Sequence, residues 1–156
     1  MGSRILGSVA VVALVMAASA AVAATATNKL VGGIKDDANG KVSMKIVVKD
    51  GRPVKAKKVK VSNLDYECQD ETTGERTFKF AKIALRGTPV GSTNPYFFET
   101  SVKNGNATYQ ISGGTTNGKP VEGQASVRID NPGNVCTSEN LPGDTTENGL
   151  YTVKKR

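Results

Sequence analysis

The sequence predicts an all-β fold, an antiparallel β-sandwich or partly closed barrel of about eight strands, stapled by one disulfide, and three observations carry that prediction. Turn dipeptides recur at short intervals: Asn39-Gly40, Asp50-Gly51, Asn104-Gly105, Asn117-Gly118 and Asn148-Gly149. Asn, Asp and Gly accept the positive φ that two-residue hairpin turns require. Between these dipeptides the apolar residues alternate with a period of two, which places every second side chain on one face of a strand. Past the N-terminal apolar stretch, no segment carries the 3.6-residue spacing of an amphipathic helix.

Taken in order, Arg4 precedes an apolar run from Ile5 to Val15 and a small-residue run from Ala17 to Ala23. This is the pattern of a secretory signal peptide over residues 1–23, with Ala21-Val22-Ala23 as the cleavage triplet. Its fully apolar core falls short of the roughly 20 residues that span a bilayer, so the mature chain is expected to be secreted with no transmembrane segment. Residues 24–29 are small and polar and are expected to form a flexible lead-in. Residues 30–156 then form a single β-sandwich domain, long enough to bury its own core.

Within that domain the first expected strand covers 30–36. In the next, Val42, Met44, Ile46 and Val48 point one way while Ser43, Lys45 and Lys49 point the other. Further strands are expected at 54–65, 76–86, 95–103 and 107–113. Val121, Gly123, Ala125, Val127 and Ile129 alternate with Glu122, Gln124, Ser126, Arg128 and Asp130, and a last strand is expected at 150–154. Each strand has one apolar face, which must be buried against a second sheet or by closure into a barrel.

The pentapeptide DGRPV at 50–54 returns as NGKPV at 117–121, and each copy is followed by a strand and one of the chain's two cysteines, Cys68 or Cys136. An offset of 67 superposes Val42 on Tyr109 and Met44 on Ile111; beyond the turns an offset of 68 superposes Val59 on Val127, Val61 on Ile129, Asn63 on Asn131 and Cys68 on Cys136. The first copy is thus one residue shorter between Val54 and Val59. A one-residue slip turns every following side chain over, so a bulge near Lys57-Lys58 is required to keep the first copy's apolar residues inside. Export permits a disulfide, and an even count of two cysteines predicts a Cys68–Cys136 bond at matching ends of matching strands.

The chain contains no histidine. That removes the usual general base near neutral pH, the usual activator of a serine or cysteine nucleophile and the commonest zinc ligand. Gly-x-Ser-x-Gly, Ser-x-x-Lys and phosphate-cradling glycine loops are absent too. The acidic stretch could hold calcium through Asp65, Glu67, Asp70 and Glu71, as could the smaller Asp36–Gly40 turn, but neither matches EF-hand spacing and a plain polar turn is the competing reading. No cofactor, metal or catalytic residue is therefore assigned. The aromatic cluster Tyr96-Phe97-Phe98 alternates in a way that suits core packing over sugar stacking.

Charge is the informative remainder. The formal net charge is +7, and +6 once Arg4 is removed. Lys49, Arg52, Lys55, Lys57, Lys58 and Lys60 crowd one expected hairpin, and an acidic segment, 65–75, follows. The hairpin is the candidate binding site, for an anionic envelope polymer or glycan; the competing reading is a solvated strand face that blocks edge-to-edge pairing. Aromatic residues are not interleaved with these lysines, which argues against nucleic acid.

The run from Ala107 to Cys136, ATYQISGG…NGKPVEGQASVRIDNPGNVC, resembles the C-terminal part of small secreted bacterial β-proteins in which a glycine-rich hairpin precedes a cysteine. In those proteins the cysteine is often followed by Thr-Gly, whereas Thr137-Ser138 follows Cys136. The resemblance implies a β fold and export, and no activity. The sequence thus points to a secreted, non-catalytic β-sandwich module that binds at or outside the cell envelope. The alternatives are an extracellular glycan hydrolase using a carboxylate pair, and an inhibitor or structural spacer.

Overall fold

The structure, a computed structural model, describes residues 24–87, 95–138 and 149–155. The expected signal peptide over 1–23 and Asn148 of the last turn dipeptide lie outside the described residues. The fold is all-β and antiparallel. Its strands are β1 (Thr25–Ile34), β2 (Asp37–Lys49), β3 (Arg52–Cys68), β4 (Thr73–Ala84), β5 (Arg86–Gly87), β6 (Tyr96–Asn104), β7 (Ala107–Thr115), β8 (Val121–Asn131), β9 (Asn134–Thr137) and β10 (Leu150–Lys155).

Six of these strands close a ring. β1 pairs with β2, β2 with β3, β3 with β9, β9 with β8, β8 with β10, and β10 returns to β1. Two extensions leave the ring: β4 pairs with the outer edge of β3, and β7, β6 and β5 continue from the other edge of β8. The strands β1–β4 and β10–β8–β7–β6 therefore face each other across one core. Leu30, Val42, Met44, Ile46, Ala56, Val59, Val61 and Leu64 come from one side. Phe98, Ile111, Val121, Ala125, Val127, Ile129, Tyr151 and Val153 come from the other. Phe78 of β4 meets Tyr109 of β7 with ring centroids 4.9 Å apart.

The alternation expected for β2 and β8 is present, and so is the bulge expected near Lys57-Lys58. Lys58 has φ 50°, and the β2–β3 register shifts beside it, from Ser43↔Lys60 to Lys45↔Lys57. Ala56 and Val59 are both fully buried although three residues apart, which an unbroken strand forbids. A second break at Asn63, φ 53°, does the same for Val61 and Leu64.

The expected turns divide. Asp50-Gly51 is a two-residue turn with both φ positive (50° and 75°), the I′ form that Asp-Gly favours. NGKPV does not repeat it: β7 and β8 are joined by the five residues 116–120. The Thr115 hydroxyl accepts the Gly118 N–H (2.9 Å) and donates to the Pro120 carbonyl (2.7 Å). This loop turns inward until Gly118 lies against Val48 and Ile46, so packing on the core overrides the local hairpin preference. Asn39-Gly40 is likewise no turn. The chain reverses at Lys35-Asp36, and the Asp37 carboxylate accepts the N–H groups of Asn39 (3.0 Å) and Gly40 (2.5 Å) to hold the extra residues at the start of β2.

The expected flexible lead-in is also corrected. Thr25 to Lys29 pair residue by residue with Lys49 to Lys45 of β2. Backbone hydrogen bonds hold a stretch whose side chains are small or polar and mostly exposed, so the lack of large apolar residues was no sign of disorder.

The Cys68–Cys136 disulfide is formed, but the cysteines do not sit at matching ends of matching strands. In the first copy β3 passes Asn63 with a bulge and runs on to Cys68. In the second, the chain reverses after Asn131 at Pro132-Gly133, with Gly133 at φ 73°, and Cys136 falls on the separate strand β9. That reversal makes β9 antiparallel to β3 and sets Cys136 directly opposite Cys68.

Closure also requires close backbone approach. A Cβ on Gly32 would collide with the Thr152 carbonyl oxygen on β10, whereas on the adjacent Gly33 its nearest neighbour would be 3.9 Å away. Gly32→Ala is expected to lower stability by about 1–3 kcal/mol through overpacking against backbone. Gly33→Ala is expected to be neutral or to add up to about 1 kcal/mol by restricting the unfolded chain. Thermal or urea unfolding of the two variants checks the contrast. The disulfide joins residues 68 apart, for which the chain-entropy model gives about 4 kcal/mol. Reduction, or Cys68→Ser with Cys136→Ser, should lower the unfolding midpoint accordingly.

Candidate anion-binding face

On the outer surface of β1–β4 lysines recur among the side chains that do not enter the core, and strand register decides which of them are neighbours. Lys29 on β1 is directly opposite Lys45 on β2, Lys45 is opposite Lys57 on β3, and Lys57 is opposite Lys82 on β4. This is an unbroken cross-strand row of four ammonium groups. With strands about 4.8 Å apart, it spans roughly 14 Å. Lys29, Lys57 and Lys82 are exposed and Lys45 is half-buried. A second row beside it runs Lys154, Val31, Ser43, Lys60, Lys79 across five strands.

The residues expected from sequence divide accordingly. Lys57 and Lys60 belong to the two rows. Lys55 is half-buried opposite Val47, Lys49 and Arg52 face each other at the hairpin end, and Lys58 projects from the bulge outside either row. Lys29, Lys45, Lys79, Lys82 and Lys154 were not legible as part of the site, because only pairing across strands brings them to the hairpin. The outward alternation of Lys45 in β2 was the one signal available. Among the described residues the ion pairs are Lys35–Asp36 (3.9 Å) and Arg128–Asp130 (2.8 Å). No lysine of either row has a carboxylate partner within ion-pair distance there.

The acids gather at the other end of the same sheet. Asp65 of β3 is opposite Glu75 of β4, and Glu67 is opposite Thr73. With Asp36 and Asp37 they line an open concavity of about 680 Å³. Loss of hydration, then the charges of Asp37 and Glu75, push the Asp65 carboxyl above its ordinary value. Asp37 is occupied structurally: besides Asn39 and Gly40, its carboxylate accepts the Asp65 backbone N–H (3.2 Å). Beyond this end, the Thr72 hydroxyl and backbone N–H donate to Asp70 and hold its carboxyl below the usual value. Among the described residues no group of three or more acids or cysteines is arranged to hold a metal ion.

Phe98 is buried and Tyr96 and Phe97 are half-buried, so this cluster presents no fully exposed ring for stacking on a sugar. Tyr151, inside the core, donates its hydroxyl to the Ser112 carbonyl (2.7 Å), and burial raises its phenol well above the ordinary value. No described helix is long and apolar enough to cross a membrane. The chain matches no protein-family model, no curated protein and no solved structure.

The raised Asp65 carboxyl has a consequence for stability. An acid whose pKa is higher folded than unfolded weakens the fold as pH rises from the unfolded value, 3.8, through the folded one. Asp65→Asn is therefore expected to raise stability near pH 7, by no more than about 0.5 kcal/mol at so exposed a position. The gain should vanish below pH 3.8, where wild-type Asp65 is itself neutral. Urea midpoints of the two proteins across that range check both the sign and the window.

Proposed function

We propose that this chain is an exported, non-catalytic β-module that binds an anionic polymer or glycan at or outside the cell envelope, using the outer face of β1–β4. One observation carries the reading: four lysines stand directly opposite one another with no described carboxylate to offset them. Like charges opposite one another in a sheet are destabilising, and an extended anion is the ligand that relieves the repulsion. Export is supported by the leader-like pattern of residues 1–23, with the apolar run Ile5–Val15 between Arg4 and the Ala21-Val22-Ala23 triplet. The bonded Cys68–Cys136 pair fits an oxidising compartment. Lysine acts here as a set of point charges and not as a bidentate fork, so recognition rests on charge density more than on the shape of single groups.

Retention on an immobilised sulfated or phosphate-bearing polymer should fall steeply with salt, because each neutralised anionic group releases counterions. A Lys57→Glu/Lys60→Glu/Lys79→Glu variant, checked by circular dichroism to retain its strands, should lose binding. Wild-type protein that ignores such polymers at low salt, or a triple variant that binds as wild type does, would refute the reading.

A further inference from the structure

The direction of the ligand is written in the charge pattern. We propose that the polymer lies across the strands, along the row Lys29–Lys45–Lys57–Lys82, and carries an anionic group on every repeat unit; this rests on the anion-binding reading above. Two paths are open to an extended anion on a sheet face: along a strand or across the strands. Along β3 the outward basic positions Lys55, Lys57 and Lys60 give way at Ser62 to Asp65 and Glu67, with Glu75 opposite Asp65. An anion following that path passes from cations to carboxylates, and like-charge repulsion ends the contact. Across the strands no acid intervenes from β1 to β4.

The second row supports the same path. Lys154, Lys60 and Lys79 flank the first row on one side and extend the basic track onto β10. On the other side the neighbouring row is Thr27, Val47, Lys55 and Ala84, with a single cation. The track therefore has a continuous line of charge with support on one side. Its pitch selects for charge density. One ammonium arrives at each interstrand step of about 4.8 Å. A polymer with one anion per unit can meet each of them, whereas one charged only at every second or third unit leaves lysines facing each other unneutralised. A linear phosphate polymer or a fully sulfated glycan has the required density; a glycan with one carboxylate per disaccharide does not.

The test uses the purified protein, long-chain inorganic polyphosphate, triphosphate, and hyaluronate as the sparsely charged polymer. Long polyphosphate should bind at least tenfold more tightly than triphosphate or hyaluronate, since triphosphate cannot span the row. Lys45→Gln/Lys82→Gln, which breaks the row at two strands, should weaken polyphosphate binding at least tenfold. It should also reduce the salt dependence by about two counterions. Lys49→Gln/Arg52→Gln removes the same charge at the hairpin end and should weaken binding only a few-fold. Lys103→Gln, on β6 of the opposite sheet, should bind as wild type does. Equal losses from the first two pairs, or equal affinity for hyaluronate, would overturn the cross-strand path while leaving an anion-binding face in place. Binding to anionic vesicles with none to any soluble polymer would replace the polymer by a membrane surface. Absence of binding to every anion would sink the underlying reading itself.

Discussion

Closure of the ring between β3 and β9 is the constraint on which the rest of the molecule depends. Only two residue pairs, Glu67↔Thr137 and Cys68↔Cys136, join these strands, and the disulfide lies within the second. Every other junction of the ring is longer, and β3 and β8 each serve two neighbours on one of their edges. A two-pair seam offers few backbone hydrogen bonds, whereas a covalent link across it restricts the unfolded chain over the whole span between the cysteines. Without the seam β3 and β9 would present free edges, and the two sheets would be joined only on their β1–β10 side. The core residues of both sheets, from Leu30 to Val153, are packed between those joins.

The two similar stretches fold differently, and closure depends on the difference. Asn63 and Asn131 are equivalent by offset, and both interrupt a strand. At Asn63 the interruption is a positive-φ bulge that returns the chain to its course. At Asn131 the following Pro-Gly supports a reversal, since proline presets φ for the first central position and glycine accepts positive φ at the second. Two straight copies would carry their cysteines outward on strands running the same way. One straight and one reversed copy bring them face to face, so two residues, Pro132 and Gly133, convert a repeat into a ring.

What was legible in the sequence follows from which interactions are local. Strand faces in β2 and β8, the Asp50-Gly51 turn, the bulge at Lys58 and the cysteine pair all depend on parity, φ preference or counting, and a sequence displays those directly. The loop around Asn117-Gly118 and the strand backbone at Asn39-Gly40 were not legible, because each is decided by partners outside the dipeptide. Ile46 and Val48 draw the first inward, and a carboxylate at Asp37 reorganises the second. The polar strand at residues 25–29 was hidden for a different reason: its stability comes from backbone pairing that leaves no mark on side-chain pattern. For the candidate face, one hairpin's lysines were visible while the row was not. Its members come from four strands and are neighbours only through register.

The bulge at Lys58 ties the core to that face. In an unbroken strand with Lys57 pointing outward, Val59 would point outward as well and Lys60 would turn inward. The inserted residue reverses both assignments at once. Val59 becomes fully buried, opposite buried Phe80, and Lys60 emerges opposite Lys79 on the same face as Lys57 and Lys82. The residue that preserves hydrophobic burial therefore also places two consecutive outward lysines of β3 in adjacent rows. Substitutions that let β3 run straight would displace a core valine and a surface cation together. Packing and charge on this strand are consequently not independent traits, and selection on either one constrains the other.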